Sequence, residues 1–274
     1  MKIKKTIYYD DPLNDDFGEG SFHYKPLPKK YRFYRWGPIY WVFQEMIYYV
    51  FAIPILWLVG KIFWRYRVVG KRKLKRAHLG TKGYFLYGNH TTKADAIFAP
   101  VSICNPRHAF LICSDNAMSH RILLPLIRLL GAIPLPSYPE QREAFVDCIK
   151  RRYKRGNAII IFPEAHIWPY CTRIRPFPDQ SFTYPAQLNA AVFAMCTTYE
   201  EHKILKFLKP RPVVHVSDPI YPDMSKALGE RTHLLREAVY HYMEEISSSL
   251  DNVEYWRYLP RQKEEENDKD DIKK

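Results

Sequence analysis

Cysteine is sparse and unpaired in this 274-residue chain. The five cysteines, Cys104, Cys113, Cys148, Cys171 and Cys196, form no CxxC pair and their number is odd. A disulfide scaffold or a zinc knuckle is therefore excluded as the organising principle, and a reducing compartment is the simpler setting. No Gly-x-Ser-x-Gly occurs, which excludes the nucleophile elbow of serine hydrolases. No internal repeat is present. The basic start, residues 1–5, is followed by Asp10, Asp11, Asp15 and Asp16 instead of an apolar run, so export is not expected. Acidic charge is in the minority, 29 Asp and Glu against 42 Lys and Arg, for a net charge of +13 and a pI near 9.4. That imbalance calls for an anionic partner: nucleic acid, an anionic membrane surface or a phosphorylated substrate.

Aromatics are abundant at 15%, with 21 tyrosines. Residues 1–35 are polar, tyrosine-rich and broken by Pro12, Pro26 and Pro28, which reads as an extended arm. Residues 36–67 shift sharply to Ile, Val, Phe, Tyr and Trp. The stretch 39–60 is about 33 Å long as a helix, enough to span a bilayer, yet Gln44 and Glu45 are costly at depth. Basic clusters flank it on both sides, which places both ends on the cytoplasmic face. The expectation is accordingly a pair of helices, bent near Pro54, lying in one leaflet with the basic clusters on anionic lipid. A buried core helix pair is the competing reading.

From residue 68 to about 255 the pattern alternates. Strands are expected over 84–87, 109–113, 132–135, 158–162, 192–197 and 213–216, and helices over 95–104, 116–130, 140–155 and 229–250. This predicts an α/β domain with a mostly parallel central sheet flanked by helices. Residues 256–274, increasingly dense in both charge signs, read as a disordered tail.

Two stretches carry chemistry. Strand 84–87 runs into Gly88-Asn89-His90-Thr91-Thr92-Lys93-Ala94-Asp95, where an apolar helix begins. Across a non-helical turn, the Asp95 carboxylate can accept the Nδ1 hydrogen of His90 and leave Nε2 as a base. The same residues fit a capping box, with Asp95 reaching back to the Thr92 amide and no catalysis implied. The second stretch is Phe162-Pro163-Glu164-Ala165, closing a buried strand at the sheet edge where ligands usually bind. Glu164 there suits a substrate cleft, or a simple ion pair with one of many nearby arginines.

Taken together, Asn89, His90 and Asp95, then Gly131 to Pro136, then Phe162-Pro163-Glu164 resemble the ordered motif blocks of the glycerolipid acyltransferases, which act on lysophospholipids and glycerol-3-phosphate. The resemblance spans roughly 68–219. It implies transfer of a fatty acyl group from acyl-CoA or acyl carrier protein to a hydroxyl of a lysophospholipid such as 1-acylglycerol-3-phosphate. His90 would be the general base, Asp95 its orienting partner, and Asn89, Thr92, Pro163 and Glu164 would lie at the acceptor. No metal and no resident cofactor are implied, and no nucleic acid is expected as a partner.

The departures are specific. An arginine usually ends the second block, where this chain has Pro136 or Ser137; Thr-Arg usually follows the third, where it has His166-Ile167; and Ala165 replaces a glycine. The acceptor phosphate would then fall to Arg173, Arg175, Arg142 or Lys93. The basic run Lys150, Arg151, Arg152, Lys154 and Arg155 suits an acidic carrier protein or an anionic membrane equally. Two alternatives remain at this point. One is a catalytically silent lipid-binding relative at the membrane. The other is a nucleic-acid-binding protein, for which 61–67 and 71–76 interleave aromatics with bases.

Overall fold

The computed structural model describes residues 2–18, 26–35, 37–114, 124–204, 207–249 and 252–261. Seven strands form one sheet: β2 (Arg67–Val69), β3 (Tyr84–Gly88), β4 (Ala109–Cys113), β5 (Ala132–Pro134), β6 (Ala158–Ile161), β7 (Val192–Glu200) and β8 (Arg211–Val216), in the order β2-β8-β7-β3-β6-β4-β5. The pairings are parallel except β7 with β8, so β8 and β2 run against the other five. This is the mostly parallel α/β sheet that the alternating pattern predicts. All six expected strands are present; β2 is additional, too short at three residues to carry a periodic signal.

Strands buried on both faces read as continuous apolar runs. β3 shows why both faces are covered. Phe85 and Tyr87 enter one core layer with Phe110, Phe145 and Val239, while Tyr84 and Leu86 enter the other with Phe98, Phe193 and Val214. The first layer is closed by α5 (Arg142–Lys154), α6 (Thr183–Leu188) and α7 (Leu228–Ser247), and the second by α2 (Arg72–Arg76) and α3 (Asp95–Cys104). The helix expected over 116–130 is described only as α4 (Leu124–Leu129), its first part lying outside the described residues. On α5 the basic run is split: Arg152 is buried, while Arg151, Lys154 and Arg155 are exposed.

The N-terminal apolar segment is one helix, α1 (Pro38–Trp64), and not the expected pair. Its 27 residues measure about 40 Å. Proline lacks an amide and its ring crowds the carbonyl four residues back. Here the turn before it, Ile47–Ala52, is a π-turn, and Pro54 sits in the first turn of regular helix that follows, so the ladder is already widened where the donor is missing. The helix lies along the domain. Gln44, Tyr48, Ile53 and Gly60 form its buried stripe, while Ile39, Val42, Val50, Phe51, Ile55, Leu58 and Phe63 face outward, each at least half exposed.

The two polar residues that looked costly face the protein. Gln44 donates to the carbonyls of Arg128 at 3.4 Å and Leu129 at 3.2 Å, and Glu45 pairs with His108 at 3.1 Å. Nearby, the Tyr48 hydroxyl accepts the Ala109 amide at 3.1 Å. These contacts fasten α1 to the end of α4 and to the start of β4.

Both chain ends correct the expected boundaries. Lys5–Tyr9, here β1, pairs in parallel with Trp256–Pro260, β9, so the arm and the supposed tail join as a small sheet. Residues 262–274 lie outside the described residues. A satellite core of Ile7, Trp168, Cys171 and Tyr258 packs this sheet onto the loop after β6. Two strands separated by some 250 positions cannot be found by local periodicity.

His108 is buried, stacks on Tyr48 and Phe110, and has its pKa pushed below the usual histidine range by desolvation, with Glu45 opposing. The unfolded chain binds this proton near pH 6.5, so between the folded and unfolded pKa values the unfolded state holds more protons. Stability then rises with pH across that window and is lost as pH falls below about 6.5. His108→Phe, which keeps the stacking and removes the proton site, is expected to flatten this dependence in urea denaturation between about pH 7.5 and 5.5. A variant curve parallel to the wild type would refute the assignment.

Candidate active site

The site forms where β3 and β6 end side by side. Tyr87 is in register with Ile161, and three residues beyond each lie His90 and Glu164. The register alone places the two motif residues opposite one another. Gly88, at the end of β3, leaves room for its neighbours: a Cβ there would overlap the Met195 methyl and lie 3.0 Å from the Phe162 ring.

Asp95, at the start of α3, is almost fully buried and organises the turn. Its Oδ2 accepts the amides of Thr91 at 2.8 Å and Thr92 at 2.9 Å, and faces His90 Nδ1 at 3.2 Å. Oδ1 takes the Thr197 hydroxyl at 3.4 Å, and the Thr92 hydroxyl accepts the Ala94 amide at 3.3 Å. The reach of Asp95 back to the Thr92 amide, one half of the expected capping box, thus coexists with the imidazole contact on a single oxygen. The other half is not formed, because the Asp95 amide bonds the Thr92 carbonyl and not its hydroxyl. A carboxylate at Nδ1 fixes the tautomer with the proton on that nitrogen and leaves Nε2 as the basic atom. Nε2 makes no hydrogen bond among the described residues, and the His90 side chain is 14% exposed. Phe162 stacks on the imidazole, centroids 4.4 Å apart at 13°, which restrains ring rotation.

Glu164 is saturated by the protein. Its Oε2 accepts the His90 amide at 3.1 Å and Arg175 Nη2 at 3.1 Å, and Oε1 accepts the Arg175 amide at 3.0 Å. Both side chains are at most 4% exposed, and the Trp168 ring covers the Arg175 guanidinium at 4.8 Å. The ion-pair reading of Glu164 is therefore realised, with Arg175 as its partner. Ala165, in place of a glycine, adopts φ 62°, and its amide closes the turn on the Phe162 carbonyl at 3.1 Å. For an alanine this left-handed conformation costs about 1–2 kcal/mol.

Of the other expected residues, Asn89 is buried and clamps β3 to β7, donating to the Thr197 carbonyl at 3.1 Å and accepting its amide at 2.7 Å. Thr92 and Pro163 are partly exposed beside the imidazole turn. Arg173 reaches away, donating to the carbonyl of Tyr258 in β9. Arg142 and Lys93 are exposed. Sequence reasoning missed Thr197 and Tyr199, whose hydroxyl donates to Thr91 Oγ1 at 2.8 Å. The available signal was a run of polar residues, Thr197 to Tyr199, ending an otherwise apolar strand. It also missed Trp168, whose amide donates to the His90 carbonyl at 3.1 Å.

Four cysteines are poor nucleophiles. Burial pushes Cys148 and Cys171 up to about 11 and Cys104 up to about 12, and raises Cys196 as well. Among the described residues no three His, Cys, Asp or Glu side chains gather as a metal-ligand group. What the arrangement offers is a carboxylate-held imidazole at the carboxyl edge of a parallel sheet.

Residues 40–200, more than half of the chain, match the acyltransferase family. The chain belongs to that family. The matched span runs from the first turn of α1 to the end of β7 and contains His90, Asp95 and Glu164. The acyltransferase fold here is also similar to the solved 1-acyl-sn-glycerophosphate (LPA) acyltransferase PlsC from Thermotoga maritima, at 15% identity and a TM-score of 0.47, over 77% of this chain and 95% of that one. No curated protein matches by sequence.

Glu164→Ala would strand the Arg175 charge in the interior, and breaking such a pair costs about 3–5 kcal/mol. Adding Arg175→Met is expected to recover a large part of that loss in urea denaturation, since the uncompensated charge is then gone. Additive losses in the double variant would show that the pair is not coupled.

Proposed function

We propose that this acyltransferase moves a fatty acyl group from a thioester donor, acyl-CoA or acyl carrier protein, to the free hydroxyl of a lysophospholipid such as 1-acylglycerol-3-phosphate. The observation that carries the reading is His90, held through Nδ1 on buried Asp95 with no hydrogen bond to Nε2 among the described residues. Nε2 takes the proton of the acceptor hydroxyl as its oxygen attacks the thioester carbonyl. The tetrahedral intermediate collapses, the C–S bond breaks, and the thiolate leaves with the proton that His90 returns. The Asp95 carboxylate stabilises the imidazolium between those two transfers. No protein nucleophile is needed, in keeping with the raised thiols and the missing Gly-x-Ser-x-Gly.

Glu164 serves as a positioning residue, fixing the His90 backbone through its amide, and Arg175 holds Glu164 in turn. Asn89 sets the strand end, while Thr92 and Pro163 line the approach of the acceptor. The outward apolar face of α1, with the net positive charge, supports attachment in one leaflet at the cytoplasmic side of a membrane, where lysolipid is delivered without crossing water.

His90→Ala is expected to lower acyl transfer to a lysolipid by about 10²–10⁴-fold, the usual worth of a general base, while cosedimentation with vesicles is unchanged. Wild-type rates in that variant would sink the mechanism. Replacing Phe43, Phe51 and Trp57 together by serine is expected to release the chain from vesicles without lowering its unfolding midpoint, and undiminished pelleting would place the attachment elsewhere.

A further inference from the structure

A second concentration of positive charge lies at the β5 edge of the sheet. Residues 26–35 fold back over this edge: Leu27 donates to Ser137 Oγ at 2.9 Å, and Gln141 Nε2 donates to the Pro28 carbonyl at 2.9 Å. Between this segment and the first turn of α1 is a groove of about 620 Å³ whose walls include Lys30, Arg32, Arg35 and Arg128. It narrows to a recess of about 20 Å³, room for a single small group, floored by Phe110 and Ile133 and reached by Arg152.

Arg152 is 7% exposed, and its Nε has no hydrogen-bond partner. A buried guanidinium is always charged and needs an anion or acceptors to offset its desolvation. Rings cover its faces: Phe110 at 4.0 Å and Tyr34 at 4.8 Å. Tyr31 covers Arg128 in the same way at 4.0 Å and accepts from its Nε at 2.7 Å. Aromatic faces soften the charge but offer no in-plane acceptors for N–H groups. Among the described residues, Arg35, Arg128 and Arg152 form no ion pair with an Asp or Glu, although elsewhere on this chain arginines such as Arg67, Arg175 and Arg211 do. The groove also meets the N-terminal end of the 27-residue α1, which no side chain caps, so its positive dipole end adds to the field.

We propose that this recess binds a phosphate group carried by a ligand, gripped by Arg152, Arg128 and Arg35 with their N–H edges directed at its oxygens. The site is distinct from the one at His90. Phe110 is in register with Ile159, and Ile159 with Phe85, five residues before His90. With two strand spacings between, the separation is roughly 20 Å. The phosphate arrives on an anionic lipid headgroup, given the adjoining membrane-facing helix, or on a free phosphate ester such as coenzyme A. Binding here does not depend on the acyl-transfer reading.

The test is calorimetric titration of the full chain in detergent micelles with inorganic pyrophosphate. Wild type is expected to bind saturably, and Arg35→Ser, at an exposed position that leaves the fold intact, is expected to weaken binding about tenfold or more, as loss of a charge-assisted contact does. Arg152→Gln is expected to weaken it further, read only if its unfolding midpoint is retained. His90→Ala is expected to bind as wild type. Competition by coenzyme A but not by dephospho-coenzyme A assigns the phosphate ester, and competition by phosphatidylcholine vesicles carrying phosphatidic acid but not by phosphatidylcholine alone assigns the headgroup; either supports the site. No saturable binding by wild type, equal affinity in Arg35→Ser, or loss in His90→Ala alone would overturn it.

Discussion

One buried carboxylate oxygen holds the site together. Asp95 Oδ2 collects two backbone amides and an imidazole within the six residues from His90 to Asp95, and each donor lends the others geometry. The amides would otherwise be orphans at a helix start, and a buried carboxylate without donors would be unaffordable. Satisfying both at once leaves the His90 ring a narrow set of orientations, and Phe162 removes most of what remains. The imidazole is therefore held in place by the protein alone, the condition under which the proposed general base would gain most from its positioning.

The surroundings serve that turn from three directions. Glu164 and Arg175 secure the His90 backbone from the β6 side, and Asn89 with Thr197 and Tyr199 secure it from the β7 side. Trp168 caps it through the His90 carbonyl, and Trp168 is itself packed by the small sheet of the two chain ends. A strained Ala165 is tolerated because its neighbours are fixed on both flanks. Contacts far apart in sequence thus converge on a few ångströms of backbone.

α1 illustrates how one residue changes meaning with its neighbour. Gln44 and Glu45 are a liability in lipid and an attachment in protein, because carbonyls of Arg128 and Leu129 and the ring of His108 take up their polarity. The remaining face is left apolar and outward.

The sequence by itself determined six of the seven strands of the main sheet and the local turn. Apolar runs mark doubly covered strands, and a His and an Asp five residues apart can meet only across a break in the helix. Those signals are short-range, set by backbone geometry and side-chain period. Tertiary structure alone decided which partner each polar group has: Arg175 for Glu164, His108 for Glu45, Thr197 for Asn89, β9 for β1. It also decided that Arg152, one basic residue among five on α5, turns inward and meets no Asp or Glu among the described residues. Such pairings rest on burial and on desolvation costs that only the packed chain sets, so no pattern along the sequence can carry them.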